Sequence, residues 1–341
     1  MIVVRGFRAY YDNGIVIEYK NKRLIVDPLR KPSGFFNAVL ITHGHRDHVN
    51  PSALRGVSPL VMSRETASII RARDNEYLRH IAVSPGSKLL IDDIMIYSLN
   101  AGHVIGSLSY MIDFGDLRVG VTGDFNVESS AILSGAERLD VDVLIMEATY
   151  GDPEYVFPSR DVLYNELMSI VEGRIKDGVV VLMGQPLGRG QELAALFRDY
   201  PLYIEPSIKI INNAIGLKYG RVLSGFPPVG SIVLMGMPRD LGSVIGRLRS
   251  KYGSFRAVAL SGMYARYSRA SRLRSLGVDA LPLSSHSDFP GLVDFVLSSG
   301  ARFVYTVYGN ASRFARYLRN ELKVMARPLP SAGQLTMDTF L

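Results

Sequence analysis

The 341-residue sequence contains no cysteine. That excludes disulfides, iron–sulfur clusters, thiolate zinc sites and thiol nucleophiles together, so any metal must be held by nitrogen and oxygen. No apolar run reaches the roughly 18 residues needed to span a bilayer. The start, Met1-Ile-Val-Val-Arg5-Gly6, is not charged-then-apolar as a signal peptide is. A cytoplasmic, soluble chain with no membrane partner is therefore expected. Repeats and low-complexity tracts are also missing, which argues for a globular chain throughout. What is present is a 47% hydrophobic composition, enough for a sizeable core in about two domains. Lys and Arg outnumber Asp and Glu by 39 to 32, a net charge of +7 that suits an anionic partner and equally serves solubility.

The first 150 residues read as short strands separated by turn residues: Val16–Tyr19, Arg23–Val26, Ala38–Ile41, Ile94–Tyr97 and Leu108–Asp113, with Tyr11-Asp-Asn-Gly14 as a hairpin turn. One helix, from Ser63 to Arg73, interrupts them. From about Pro158 helices alternate with buried strands. Helices are expected over 162–174 and 191–198, strands over 178–183, 231–235 and 257–260, which together make an α/β domain with a parallel sheet. A helix (290–298), a strand (303–307) and a helix (311–322) close the chain.

Chemistry concentrates in Thr42-His43-Gly44-His45-Arg46-Asp47-His48, directly after the apolar strand Val39–Ile41. Three histidines and an aspartate within six residues, at a strand end that turns into a loop, can converge on one point as a metal site requires. The plain alternative is a solvated polar loop. Two further segments share this form: Asn100-Ala-Gly-His103 offers an imidazole, and Val121-Thr-Gly-Asp124 a carboxylate. A fourth, Ser284-Ser-His286-Ser-Asp288, brings in a fifth histidine; the sixth, His80, reads as an ordinary helix-end residue.

His43-x-His45-x-Asp47-His48, Ala101-Gly-His103 and Thr122-Gly-Asp124-Phe125 resemble the metallo-β-lactamase fold, with Asp27 matching the acidic residue that ends an early strand. Glu147, Gly188-Arg189-Gly-Gln-Glu192 and His286 resemble the further motifs of the β-CASP nucleases, closest to the DNA ligase-associated exonucleases and the Artemis-type nucleases. The resemblance implies an α/β (α+β) fold. A four-layer αββα sandwich would be built from residues 1–155 and 276–341, with a β-CASP-like α/β domain inserted at 156–275 and capping the site.

It further implies one Zn²⁺ on His43, His45 and His103, with Asp124 bridging to a second metal on Asp47 and His48, and Asp27 orienting ligands by hydrogen bonds. Spacing does not separate zinc from manganese. Such a metal lowers the pKa of bound water so that hydroxide attacks phosphorus. Asp47 and Asp124 would serve this step, and His286, paired with Glu147, would contact phosphate and protonate the leaving oxygen. In RNA-processing members a histidine completes the second metal site; here the matching residue is Tyr308 and no histidine follows His286. A phenol is a poor ligand at pH 7, so the second site is expected to be weaker. The Artemis-type nucleases also lack that histidine, which favours DNA, whereas the ligase-associated enzymes keep it.

The partner is expected to be nucleic acid. Between Arg247 and Arg274 stand eight basic residues and no acidic one. Arg266, Arg269 and Arg272 fall on one helical face beside Arg274, with Tyr264 and Tyr267 placed to stack on bases. Arg189 begins a helix whose free N–H groups would meet a phosphate; a solvated face and a plain helix-start turn are the corresponding bland readings. The function so implied is a DNA exonuclease of repair or end processing. An RNA nuclease, a small-molecule hydrolase (thioesterase or lactonase) and a non-catalytic nucleic-acid-binding subunit are its rivals.

Overall fold

The computed structural model describes residues 6–334. Its first strands are β1 (Phe7–Tyr11), β2 (Ile15–Tyr19), β3 (Lys22–Val26), β4 (Ala38–Leu40), β5 (Leu60–Ser63) and, after helix α1 (Arg64–Asp74), β6 (Ile81–Val83), paired in that order in one sheet. β1 to β3 form an antiparallel meander, while β3 to β6 run parallel. The hairpin turn falls where expected because Asn13 takes a left-handed backbone (φ 51°), which asparagine tolerates. α1 starts where Ser63 Oγ accepts from Thr66 N (3.0 Å) and stops at Asn75, again left-handed.

A second sheet begins with β7 (Lys88–Ile91), β8 (Ile94–Asn100), β9 (Leu108–Asp113), β10 (Arg118–Val121) and β11 (Val143–Glu147). β7 to β10 are antiparallel; β11 joins β10 in parallel. The chain then enters α2 (Arg160–Glu172), β12 (Val179–Met183), α3 (Arg189–Leu196), β13 (Leu202–Ile204), α4 (Pro206–Ala214), β14 (Arg221–Val222), β15 (Ile232–Met235), α5 (Leu241–Tyr252), β16 (Phe255–Leu260), α6 (Tyr267–Arg274) and β17 (Asp279–Leu281). These six strands make a third, all-parallel sheet in the order β14-β13-β15-β12-β16-β17. β12 is buried along its whole length, as a central strand covered by helices on both faces must be. α7 (Phe289–Ser298), β18 (Phe303–Val307), α8 (Ala311–Asn320) and β19 (Ala326–Pro328) complete the second sheet, β18 pairing in parallel with β11.

Two compact units result. One comprises the chain up to Val127, Gly135–Asp152 and the chain from Gly291; the other comprises Glu128–Ser134 and Pro153–Pro290. Within the first unit, Phe7, Ile17, Leu24, Leu40, Ile96, Tyr110, Val119 and Ile145 fill the space between the two sheets. Val39, Ile41, Met62 and Ile70 pack on the outer face of the first sheet, where α1 lies, and α8 buries Phe314, Ala315 and Leu318 beside β18. Each such aliphatic side chain contributes about 1.5–3 kcal/mol. The order helix, sheet, sheet, helix is the αββα sandwich. Within the second unit, Leu182, Leu193, Ile208 and Val258 form one core of the parallel sheet, and Val181, Ile245, Ala257 and Leu273 the other.

The expected boundaries shift. The sequence motifs imply an insertion at 156–275, but β17 pairs with β16 (Val258 with Asp279 through Leu260 with Leu281), so residues 276–290 stay with the second unit. Residues 128–134 join it as well. Strand pairing decides the first change; the second follows contacts with α2, Ala131 N donating to Tyr164 OH (3.0 Å) and Arg160 N to Glu128 Oε1 (2.7 Å).

Candidate metal centre

Parallel strands present their C-terminal ends on one edge, which is where loops carrying function collect. Asp27 follows β3 and His43 follows β4; His103 lies after β8, Asp124 after β10, Glu147 ends β11 and Tyr308 follows β18. Polar contacts bring the two sheets' loops to a common place: Tyr110 OH donates to Ile41 O (2.8 Å) and Leu108 N to Thr42 O (2.8 Å). Gly123 allows the close approach, because its φ is +58° and a Cβ there would stand 2.6 Å from Thr42 Cβ.

His43, His45, His103 and Asp124 are all buried, and their ligand atoms lie within 4.8 Å of one another. His43 Nε2 is 2.9 Å and His103 Nε2 3.1 Å from His45 Nδ1; each is also 3.6 Å from Asp124 Oδ2. Donors about 2.0 Å from a tetrahedral metal stand about 3.3 Å apart. The observed 2.9–3.6 Å brackets that edge, so these four residues fit one metal ion. Proton positions agree. Thr42 Oγ1 donates to Asp27 Oδ2 (2.5 Å), so toward His43 Nδ1 (3.0 Å) it can only accept. His43 therefore carries its proton on Nδ1 and presents a bare Nε2 to the centre.

Asp27 is 2% exposed and also accepts from Thr42 N (2.7 Å) and His48 Nδ1 (2.8 Å), which fixes the ring of His48. His48 Nε2 stands 3.3 Å from Asp124 Oδ1. Burial opposes a charge on His48, but Asp124 and Asp27 outweigh it and raise its pKa well above the usual imidazole value. Burial and the charge on His48 push His43 well below it. The carboxylates on either side of His48 thus favour a cation between them. Tyr308 caps this side, its ring 5.0 Å from that of His48, and burial holds its hydroxyl protonated.

Asp47 departs from the expected ligand set. Its side chain is exposed and belongs to neither buried cluster among the described residues, Asp27–His43–His48 or His43–His45–His103–Asp124. The turn from His45, closed by His48 N and Val49 N on His45 O (3.1 and 2.9 Å), turns His48 inward and Asp47 outward. Glu147 is 1% exposed and accepts from Phe125 N (3.0 Å) and Thr149 N (3.2 Å), so it braces the backbone beside Asp124. Sequence reasoning gave Thr42 and Arg73 no role; Arg73 Nη1 holds Gly44 O at 2.6 Å. No local signal marks either. His80 lies in the α1–β6 connection rather than at a helix end, and its Nδ1 donates to Leu78 O (2.8 Å).

In the second unit, His286 is half-buried on the loop after β17, its N–H donating to Ser284 Oγ (3.0 Å). The basic run divides. Arg269, Arg272 and Arg274 are exposed on α6, and Tyr267 is 77% exposed. Arg266 instead pairs with Glu154 (2.9 Å) and stacks on Tyr155, and Arg256 pairs with Asp279. Tyr264 packs against the sheet core, and burial raises its pKa. Arg189 is 7% exposed and bonds Gln185 (3.1 Å). Its helix start is already satisfied, with Gly190 N on Gln185 O (3.1 Å) and Gly188 N on Gln191 Oε1 (2.7 Å). Contacts within the second unit thus engage all three: Gln185 lies four residues from Arg189, Glu154 and Tyr155 meet Arg266 from far along the chain, and Tyr264 packs on the sheet.

No protein-family model matches the chain. Among curated proteins it is 27% identical over 296 residues to a probable DNA ligase of Opitutus terrae, covering 82% of this chain and 27% of that one. It is 26% identical over 212 residues to an RNase J-like protein of Methanocaldococcus jannaschii, covering 54% and 50%. It is 27% identical over 262 residues to cleavage and polyadenylation specificity factor subunit 3-II of Arabidopsis thaliana, covering 62% and 42%. The chain thus spans a quarter to a half of these relatives' lengths. A crystal structure of a protein of unknown function from Enterococcus faecalis shares the fold, with TM-score 0.64, 13% identity, and coverage of 95% of this chain and 98% of that one. Among the described residues no helix is long and apolar enough to cross a membrane. The resemblance to the β-CASP nucleases of the metallo-β-lactamase superfamily, carried by the motifs, holds.

Proposed function

We propose that the chain is a metal-dependent nuclease that hydrolyses phosphodiester bonds of nucleic acid, acting on DNA from an end in repair or end processing. The observation that carries this reading is the buried convergence of His43, His45, His103 and Asp124, a donor set suited to zinc. With a divalent ion held there, these residues would gain a bound water of lowered pKa and a counter-charge for phosphoryl oxygens. The chain's own residues then divide the remaining work. Asp27 and Thr42 hold His43 in the tautomer that leaves Nε2 bare. His48 and Asp124 would hold a second and weaker ion. Glu147 keeps Asp124 in place, and the ring of His286 supplies the proton to the leaving oxygen. Arg269, Arg272, Arg274 and Tyr267 are the exposed groups offered to the strand.

Tyr308 in place of a histidine supports DNA, whereas relatives named RNase J-like protein and polyadenylation factor support RNA. Incubating the protein with 5′- and 3′-labelled DNA and RNA, single- and double-stranded, with Zn²⁺, Mn²⁺ or Mg²⁺ decides between them and reads polarity. Asp124→Ala is expected to abolish cleavage and His286→Ala to lower kcat about 100- to 10,000-fold, leaving a measurable residual rate. Unchanged cleavage in both variants, or turnover of a thioester or lactone with intact strands, overturns the reading.

A further inference from the structure

The loop that carries His286 is tied at both ends to one stretch of chain, residues 155–160. At its far end Phe157 N donates to Asp288 Oδ2 (3.1 Å) and Phe289 N to Tyr155 O (2.9 Å). At its near end Arg160, the first residue of α2, donates from Nη2 to Ser284 O at 2.6 Å. Ser284 in turn accepts from His286 N through its hydroxyl (3.0 Å), so two hydrogen bonds link the guanidinium to the backbone of His286.

Arg160 is 5% exposed, a depth at which arginine is found only when paired. Its Nη1 forms an ion pair with Glu192 of α3, which is 3% exposed, and its Nε lies 3.8 Å from Glu128 Oε2. Glu192 also accepts from Tyr164 OH (2.5 Å), and that hydroxyl accepts from Ala131 N (3.0 Å). A buried ion pair contributes little net stability, since desolvation offsets most of the attraction. What the planar fork does supply is direction: with one arm fixed by Glu192, the other is aimed at a single carbonyl two residues before His286.

We propose that Arg160, oriented by Glu192, is a positioning residue for His286; the inference rests on the reading of His286 as the proton donor to the leaving oxygen. Lysine at position 160 keeps a positive charge for Glu192 but lacks the second arm, so the loop loses its anchor at Ser284.

The test is a double-mutant cycle on the full chain with a labelled single-stranded oligonucleotide, reading kcat and KM for wild type, Arg160→Lys, His286→Ala and the double variant, each checked by thermal melting. Arg160→Lys is expected to lower kcat about 10- to 100-fold with KM changed by less than about twofold. Against His286→Ala the same substitution is expected to change kcat by less than about twofold, because the group it positions is gone. Equal losses in both backgrounds, an unchanged kcat, or a loss confined to KM each overturn the positioning role. Full activity in His286→Ala overturns instead the assignment of His286 itself. Should Arg160→Lys not fold, Glu192→Gln carries the same cycle, since it keeps the shape and removes the charge that orients the fork.

Discussion

Replacing Asp27 by asparagine disturbs the hydrogen bonds that set proton positions at the metal centre. The carboxylate accepts from Thr42 N, Thr42 Oγ1 and His48 Nδ1 at 2.7, 2.5 and 2.8 Å. An amide of the same shape still accepts from Thr42 N, but its NH₂ then faces two groups that had been donating. The Thr42 hydroxyl turns to His43 Nδ1, 3.0 Å away, and drives His43 to the tautomer with its proton on Nε2, pointing at His45 and Asp124. Two bonds to a buried charge at about 1.5–3 kcal/mol each put the loss for the metal-free fold near 3 kcal/mol or more. Loss of the oriented ligand lowers metal affinity about 10- to 100-fold, equivalent to about 1.4–2.7 kcal/mol. The assay is zinc titration of chelator-stripped protein against a competing chromophoric chelator, with urea unfolding of the same samples. Thr42→Val, which deletes the hydroxyl and keeps the carboxylate, is expected to fall at the low end of that range, and Thr42→Ser to match wild type. A folded Asp27→Asn protein with wild-type zinc affinity refutes the reasoning.

The metal-free protein should show opposing pH effects. His48, with its pKa raised, contributes stability that is present below the unfolded-state value of about 6.5 and lost as pH rises through the folded value. His43, with its pKa lowered, makes stability fall as pH drops below about 6.5. Urea unfolding from pH 5 to 9 should therefore show the site's contribution greatest near pH 6.5, and zinc binding should release protons and strengthen with pH. Tyr308→His places an imidazole beside His48 at a left-handed position (φ 61°) that histidine tolerates better than most residues. Metal analysis after dialysis against zinc is expected to show a higher stoichiometry than wild type, and an unchanged ratio counts against a second site there. Combined Arg269→Gln, Arg272→Gln and Arg274→Gln should weaken binding across all strand sequences and reduce the slope of log affinity against log salt by about one per lost phosphate contact. An unchanged slope would remove α6 from the nucleic-acid path.

How legible the molecule was in its sequence depends on range. His43, His45 and His48 stand together because one strand end delivers them, and β2, β3, β9, β12, β16 and β18 follow from runs of apolar residues that any sheet would bury. Helix starts such as Ser63 are equally local, since the cap bonds only three residues on. Asp47 shows the limit: its spacing matches the motif, yet the turn at His45 points it to solvent. Arg189 and Arg266 read as phosphate contacts until Gln185, Glu154 and Tyr155 are seen to hold them. The far boundary of the second unit moved for the same kind of reason, because β17 finds its partner in β16.

The sequence by itself determined that any metal would be bound by nitrogen and oxygen, that three histidines stand together at one strand end, and that the position filled by Tyr308 offers no imidazole. These follow from residue identity and short spacing, which folding does not change. Only the tertiary structure decided which proton His43 carries, which arginines remain open to a strand, and which side chain anchors the loop of His286. The first and last rest on hydrogen bonds between residues brought together by folding, Thr42 with Asp27 and Arg160 with Ser284, and the second on the burial and partners each arginine meets in the fold.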